Sequence, residues 1–242
     1  MTTRTPRATR LAAALTALLV GVTGCQNREP TKPNVVVETR YLDALSKAID
    51  AVNKTRARVV ADGNAISRAA AALDDVDDAA VTGDRDTVRG RRATASTAFG
   101  KAQAATNRLG KDVRAYRTAV DGLARAPREG LDPTQNAALA DVVSAARAEL
   151  SQLRDYATVM AVVWGTYQKL DEVQGLWLTR SLGGWYRDQR EAAGAYGVLV
   201  DRPVLAKART SLAGADRRRL AAARLVDDQL ATARGALASL LD

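Results

Sequence analysis

Chemistry in this 242-residue chain has to come from carboxylates, lysine, tyrosine and serine, because histidine is absent and Cys25 is the single cysteine. Without histidine there is no Ser-His-Asp triad, no HExxH zinc site and no histidine-ligated haem. One cysteine closes no disulfide within the chain and builds no cysteine metal cluster. The sequence contains no S-x-x-K, G-x-S-x-G, Walker A or G-x-G-x-x-G arrangement and no EF-hand loop. Glu149, Glu172 and Glu191 stand alone, with no sequence reason to pair as a general acid and base. The reading is of a non-enzyme with no catalytic residues and no cofactor. The enzymatic alternative is a carboxylate-based hydrolase of wall polymers.

Two segments could hold a site. Asp74, Asp75, Asp77 and Asp78 precede a turn at 82–84, and Asp84 and Asp86 follow it. Hard cations take oxygen ligands of this kind. Acids at a helix C-terminus oppose the dipole, however, and Arg85, Arg89, Arg91 and Arg92 lie close enough to neutralise them. The expectation is a solvated or arginine-paired cluster and no metal site. The second segment is aromatic: Tyr156, Trp164, Tyr167, Trp177, Trp185, Tyr186 and Tyr196 are interleaved with six glycines. These rings either fill space left by Ala and Gly on neighbouring helices or, at Trp164, Trp177, Trp185 and Tyr186, form a partner or ligand surface.

The elements that must position these residues are all helical in period. A first helix over about 37–81 carries Leu42, Leu45, Ile49, Val52, Val59, Ile66 and Leu73, with interruptions at Arg56, Gly63 and Ala70. Gly83 stops it and Asp84 caps a second helix, from Arg85 to about Arg125. Asp132-Pro133 starts a third, which runs to Gly183-Gly184 through Leu139, Val142, Ala146, Leu153, Tyr156, Met160, Val163, Tyr167, Leu170 and Trp177. A short helix over 185–200 uses Gln189, Ala192, Tyr196 and Leu199. A last one, restarted by Asp201-Arg202-Pro203, uses Leu205, Leu212, Leu220, Val226, Leu230, Leu237 and Leu241. Three rods of similar length and a fourth bent or broken near 201–203 predict an all-α, elongated, antiparallel, coiled-coil-like four-helix bundle, with residues 35–242 as a single domain. The runner-up is a three-helix coiled coil with the segment after Trp185 packed outside. Short connections bring the 82–84 and 182–184 turns to one end, and the 126–132 turn and the C-terminus to the other.

The N-terminal segment supplies an address. Arg4, Arg7 and Arg10 lead into an apolar run from Leu11 to Val22, and Val22-Thr23-Gly24-Cys25 closes it with small residues before the cysteine. Leu11–Gly24 is too short to span a bilayer, which takes about 20 residues. The pattern resembles the signal peptide and lipobox of the bacterial prolipoprotein class. That resemblance implies cleavage after residue 24, a diacylglycerol on Cys25 and attachment to the outer face of the cell membrane. Residues 25–34, with Pro30 and Pro33, then read as a lipidated N-terminus and tether reaching at most about 30 Å. Arg217-Arg218-Arg219 points around three sides of a helix and makes no phosphate clamp, and Asn53-Lys54-Thr55 is a glycosylation sequon in the middle of a helix.

Removing residues 1–24 takes away three Arg and no acid, lowering the formal charge from +9 to +6. The 29 Arg against 7 Lys, with abundant Ala, Val, Asp and Gly, suggest high-GC codon usage of an actinobacterial type. An exported chain meets little nucleic acid, so none is expected as a partner. The sequence therefore points to a lipid-anchored extracytoplasmic helical bundle, a scaffold or interaction module that presents its distal tip to an envelope protein. The alternative is a ligand-binding or sensing bundle with a small-molecule pocket near Trp164 and Trp177.

Overall fold

The computed structural model describes residues 34–238, with side chains from residue 41 onward. The signal segment, Cys25 and most of the tether lie outside the described residues. The chain is all-α: α1 (Asn34–Val81), α2 (Arg85–Ala124), α3 (Pro133–Leu182), α4 (Gln189–Leu199) and α5 (Arg202–Ala238), with no strand among the described residues. No described helix is long and apolar enough to cross a membrane.

Helix boundaries follow local chemistry. Asp84 accepts from the Thr87 amide at 3.0 Å and Asp201 from the Val204 amide at 3.2 Å, so each caps the helix it precedes. Asp132 and Gln135 form a reciprocal capping box, the Gln135 amide donating to Asp132 Oδ1 at 2.8 Å and the Asp132 amide to Gln135 Oε1 at 3.0 Å. Gly83, at φ 75°, ends α1 with its own amide on Ala80 O and the Asp84 amide on Ala79 O. That left-handed geometry is adopted without steric cost only by a residue lacking a β-carbon.

The described chain divides into two compact units. One gathers residues up to Arg58, Val113–Leu150 and the chain from Ala222; the other gathers Val59–Asp112 and Ser151–Ala221. Each packs helical segments around an interior rich in Ala, Leu and Val. In the first unit Leu45, Ile49, Val52, Leu123, Leu139 and Val226 are buried. In the second, Ile66, Leu73, Leu109, Leu153, Met160 and Leu205 are buried.

Three details differ from the sequence expectation. α4 begins at Gln189, not Trp185, because Asp188 caps it by accepting from the Glu191 amide at 2.8 Å, while Glu191 reaches back to the Arg187 amide at 2.9 Å. The Gln189 side chain, expected on the packing stripe, is exposed. Leu42 and Leu220, also assigned to the packed stripes, are exposed. At Leu220 the reason is periodic: the inward row of α5 runs through Leu212, Ala215, Arg219, Ala223 and Val226, which puts Arg219 inside at 1% exposure and its neighbour outside.

Polar side chains occupy the gaps in these rows. In the first unit Glu149, fully buried, accepts from Arg56 Nε at 2.8 Å and from the Tyr116 hydroxyl at 2.7 Å. Arg56 also donates to Asp227 at 2.7 Å and to Ala223 O at 2.6 Å. Burial works against the Arg56 charge, but Glu149 and Asp227 more than offset it and hold the guanidinium above its ordinary value. In the second unit Arg219 lies over the Tyr156 ring and donates to Asp216 and Asn64. Gly63 makes the room, since a Cβ there would stand 2.9 Å from the Arg219 Cζ.

Candidate functional site

The four aromatic candidates separate into two pairs, all within the second unit. Trp164 is 5% exposed, stacks on Phe99 at 5.0 Å and donates its indole N–H to Gln103 Oε1 at 2.9 Å. Trp177 is fully buried, meets Tyr196 edge-on at 5.5 Å and donates to Ala192 O at 2.8 Å. Both sit on the inward stripe of α3, so they are core rings with satisfied N–H groups. Trp185 is 71% exposed and Tyr186 half-buried, because both follow the Gly183-Gly184 stop and escape the helical stripe.

Residues 83–85, after α1, touch residues 186–189, which lead into α4. Arg85, at the start of α2, donates to Tyr186 O at 3.0 Å and to Asp188 O at 3.1 Å. Gly83 packs so close to Gln189 that a Cβ would come within 2.1 Å of that carbonyl oxygen. Around this junction Val81, Leu182 and Trp185 are exposed, and Arg180 places its guanidinium 5.6 Å from the Trp185 ring centroid. A protruding indole braced by an arginine, with two aliphatic neighbours on helix ends, offers apolar area and hydrogen-bond donors together. In the first unit Gln135 Nε2 reaches Ala236 O at 3.3 Å, which joins the start of α3 to the end of α5.

Two acids of the run, Asp74 and Asp77, are paired, but not by the arginines nearest in sequence, while Asp75 and Asp78 are exposed. Asp74 accepts from Arg209 Nε at 2.7 Å; Asp77, 1% exposed, accepts from Arg202 at 2.7 Å, Arg209 at 2.9 Å and the Tyr196 hydroxyl at 2.7 Å. Asp74 and Asp77 are three apart and face α5, so the helix they face supplies the cations. Of the expected partners, Arg85 binds carbonyls, Arg91 donates to the Asp75 carbonyl at 3.1 Å and Arg92 pairs with Asp171 at 2.6 Å. Only Arg89 among these four reaches an acid of the run, Asp86, at 3.7 Å on the surface. Burial raises the Asp74 carboxyl above its usual range, with Arg209 opposing and Asp77 and Asp78 assisting the rise. Burial, then Asp77, pushes the Tyr196 phenol up as well. Among the described residues no group of three or more acids or cysteines is arranged to hold a metal ion.

Sequence reasoning missed the burial of seven polar residues, Asp62, Asp77, Gln135, Glu149, Gln174, Ser181 and Arg219. Asp62 accepts from Arg108 at 2.7 Å through one oxygen, while the other is buried with no hydrogen-bond donor among the described residues. Burial raises its carboxyl, opposed by Arg108 and reinforced by Asp112. The gaps in the hydrophobic rows were the available signal. A shallow groove of about 180 Å³ lies beside α3 and the α4–α5 junction, lined by Leu170, Val173, Leu199, Val200, Val204 and Leu205; no tryptophan ring lines it. No family model, no curated protein and no solved structure matches the chain.

Proposed function

We propose that this protein is a lipid-anchored, extracytoplasmic, non-enzymatic interaction module. Its four long helical stretches form an up-down-up-down four-helix bundle, with the fourth member broken at 201–203. The junction of the 81–85 and 182–188 turns is the surface it presents to an envelope protein. Attachment rests on the lipobox-like Val22-Thr23-Gly24-Cys25 and the Pro-containing tether after it. The observation that carries the binding surface is the contrast among three tryptophans: two are sealed in the core at 5% and 0% exposure, and Trp185 stands at 71%. Burying one exposed Trp side chain in a partner contributes on the order of 2 kcal/mol or more, and Trp and Arg are the residues that most often dominate interfaces.

Replacing Trp185 and Tyr186 with Ala should abolish partner recovery while leaving the melting temperature within about 2 °C, as surface changes rarely exceed about 0.5 kcal/mol. A collapse in stability would return both rings to a structural role. For the anchor, Cys25→Ala should lose all fatty-acid label; a variant that still labels would refute attachment at that residue.

A further inference from the structure

Helix α4 buries few of its side chains in the second unit. Of its 11 residues only Ala192 and Tyr196 are buried, and it is bounded by the non-helical 183–188 stretch and by Val200 in an extended conformation. Gly194 and Gly197 lie inside it, and a Cβ at either would meet nothing within 4 Å. No close approach requires these glycines, yet each weakens the helix, opening it about five-fold more readily than alanine would. Val198 is 87% exposed.

Beneath α4 is a formed polar and aromatic site. The Tyr196 ring meets the Trp177 edge at 5.5 Å, and the Arg202 guanidinium lies 5.3 Å from its centroid. Its hydroxyl donates to Asp77 Oδ1, whose other oxygen is held by Arg202 and Arg209. The buried Gln174 amide, anchored on Leu73 O at 2.7 Å, stands beside the phenol oxygen. The Trp177 indole donates to Ala192 O on α4 itself. One turn further along the same face of α3, Ser181 is 2% exposed and its hydroxyl has no partner among the described residues. Asp77, Gln174, Trp177 and Ser181 belong to α1 and α3, so they stay in place when α4 leaves.

We propose that α4 is a lid that opens by unwinding, and that Tyr196 is the tethered occupant of a phenol-binding site formed by Trp177, Asp77, Gln174 and Arg202. With the lid away, the site offers an indole edge, a freed indole N–H, a cationic face and a carboxylate acceptor already neutralised by two arginines. A phenol matches it: the hydroxyl donates to Asp77 and the ring lies between Trp177 and Arg202. An organic cation finds no free negative charge, since Asp74 and Asp77 are already matched by Arg202 and Arg209, and an aliphatic alcohol lacks the ring. Free phenols compete with a tethered tyrosine at high effective concentration, so they engage weakly until α4 is drawn off. Trp185 and Tyr186 lie on the strap leading into the lid, so a partner gripping them would pull it open. That last link rests on the binding surface proposed above; the lid and its site do not.

Hydrogen exchange on the intact protein tests the lid, because the Trp177 indole proton is bonded to α4 whereas the Trp177 backbone amide belongs to α3. The indole proton and the amides of residues 193–197 should exchange at a common rate, at least about ten-fold faster than α3 amides 170–177. Gly194→Ala with Gly197→Ala should slow that rate about 20- to 30-fold and leave α3 unchanged. An indole proton exchanging no faster than the α3 amides, or a common rate insensitive to both substitutions, overturns the lid. Millimolar p-cresol should speed lid exchange several-fold by binding the open state, and toluene should not. No difference between the two overturns the phenol site, whatever the exchange rates show of the lid.

Discussion

Replacing Glu149 with Leu tests the polar interior. Glu149 is fully buried and receives Arg56 Nε at 2.8 Å and the Tyr116 hydroxyl at 2.7 Å. Removing one partner of a buried ion pair costs about 3–5 kcal/mol, because the remaining charge is left in low dielectric. Arg56 keeps Asp227, but that carboxylate is 66% exposed and is a weaker substitute; it moves the pair's cost toward the lower half of the range. Orphaning the Tyr116 hydroxyl adds about 1–3 kcal/mol, since Glu149 is the acceptor that satisfies it. Some of that overlaps with the loss of the pair, so about 3–5 kcal/mol is expected in total. At about 2–4 °C per kcal/mol for a chain of this length, the melting temperature should fall by about 6–20 °C. The triple change Arg56→Met, Tyr116→Phe and Glu149→Leu removes the two groups that the single change strands, and Asp227, which also loses Arg56, is 66% exposed to water, so the variant should recover to within about 1 kcal/mol of the parent. Urea unfolding of the single and triple variants, followed by circular dichroism, measures both. A single variant losing less than about 1 kcal/mol, or a triple variant no better than the single, would refute the reasoning.

Two further predictions concern backbone and pH. Gly83→Ala combines a left-handed residue, costing about 1–2 kcal/mol by itself, with a Cβ 2.1 Å from the Gln189 carbonyl oxygen. It should lower the melting temperature and also speed hydrogen exchange in α4, and an unchanged α4 would count against the contact. Burial raises the phenols of Tyr116, Tyr156, Tyr167 and Tyr196, Tyr156 to about 12. Above a pH of about 10 the unfolded chain loses phenolic protons that the folded chain keeps, so stability is intact below that pH and falls as pH rises from about 10 toward about 12. Near-ultraviolet absorbance of the phenolate and helical circular dichroism, titrated together on a Tyr41→Phe, Tyr186→Phe background that leaves these four tyrosines, should change in one step. Ionisation of these tyrosines without loss of helix would contradict their burial.

Helix existence was legible because the packed rows alternate three and four residues and because Gly83 and Gly184 terminate helices. Periodicity places Trp177 on the inward row of α3, but it omits Trp164 and starts the next helix at Trp185, so the sequence alone does not separate the core rings from the surface one. What hydrophobicity hid was the content of the gaps. By hydropathy Leu220 belongs to the core, yet the row requires position 219, where Arg219 is buried against Gly63 on a different helix. Arg56 and Glu149 each interrupt a row, and only the fold brings the two interruptions together. Asp188 and Glu191 carry a capping signature that starts α4 at Gln189, past Trp185 and Tyr186, which aromatic spacing alone places inside the helix.

Photo-cross-linking in intact cells tests most directly whether the Trp185 turn meets a partner. A photoreactive residue at position 185 should give a discrete adduct identifiable by mass spectrometry. The same residue at position 162, where Val162 is 77% exposed on the side of α3, should give none. No adduct at 185, or the same adducts from both positions, would contradict the account.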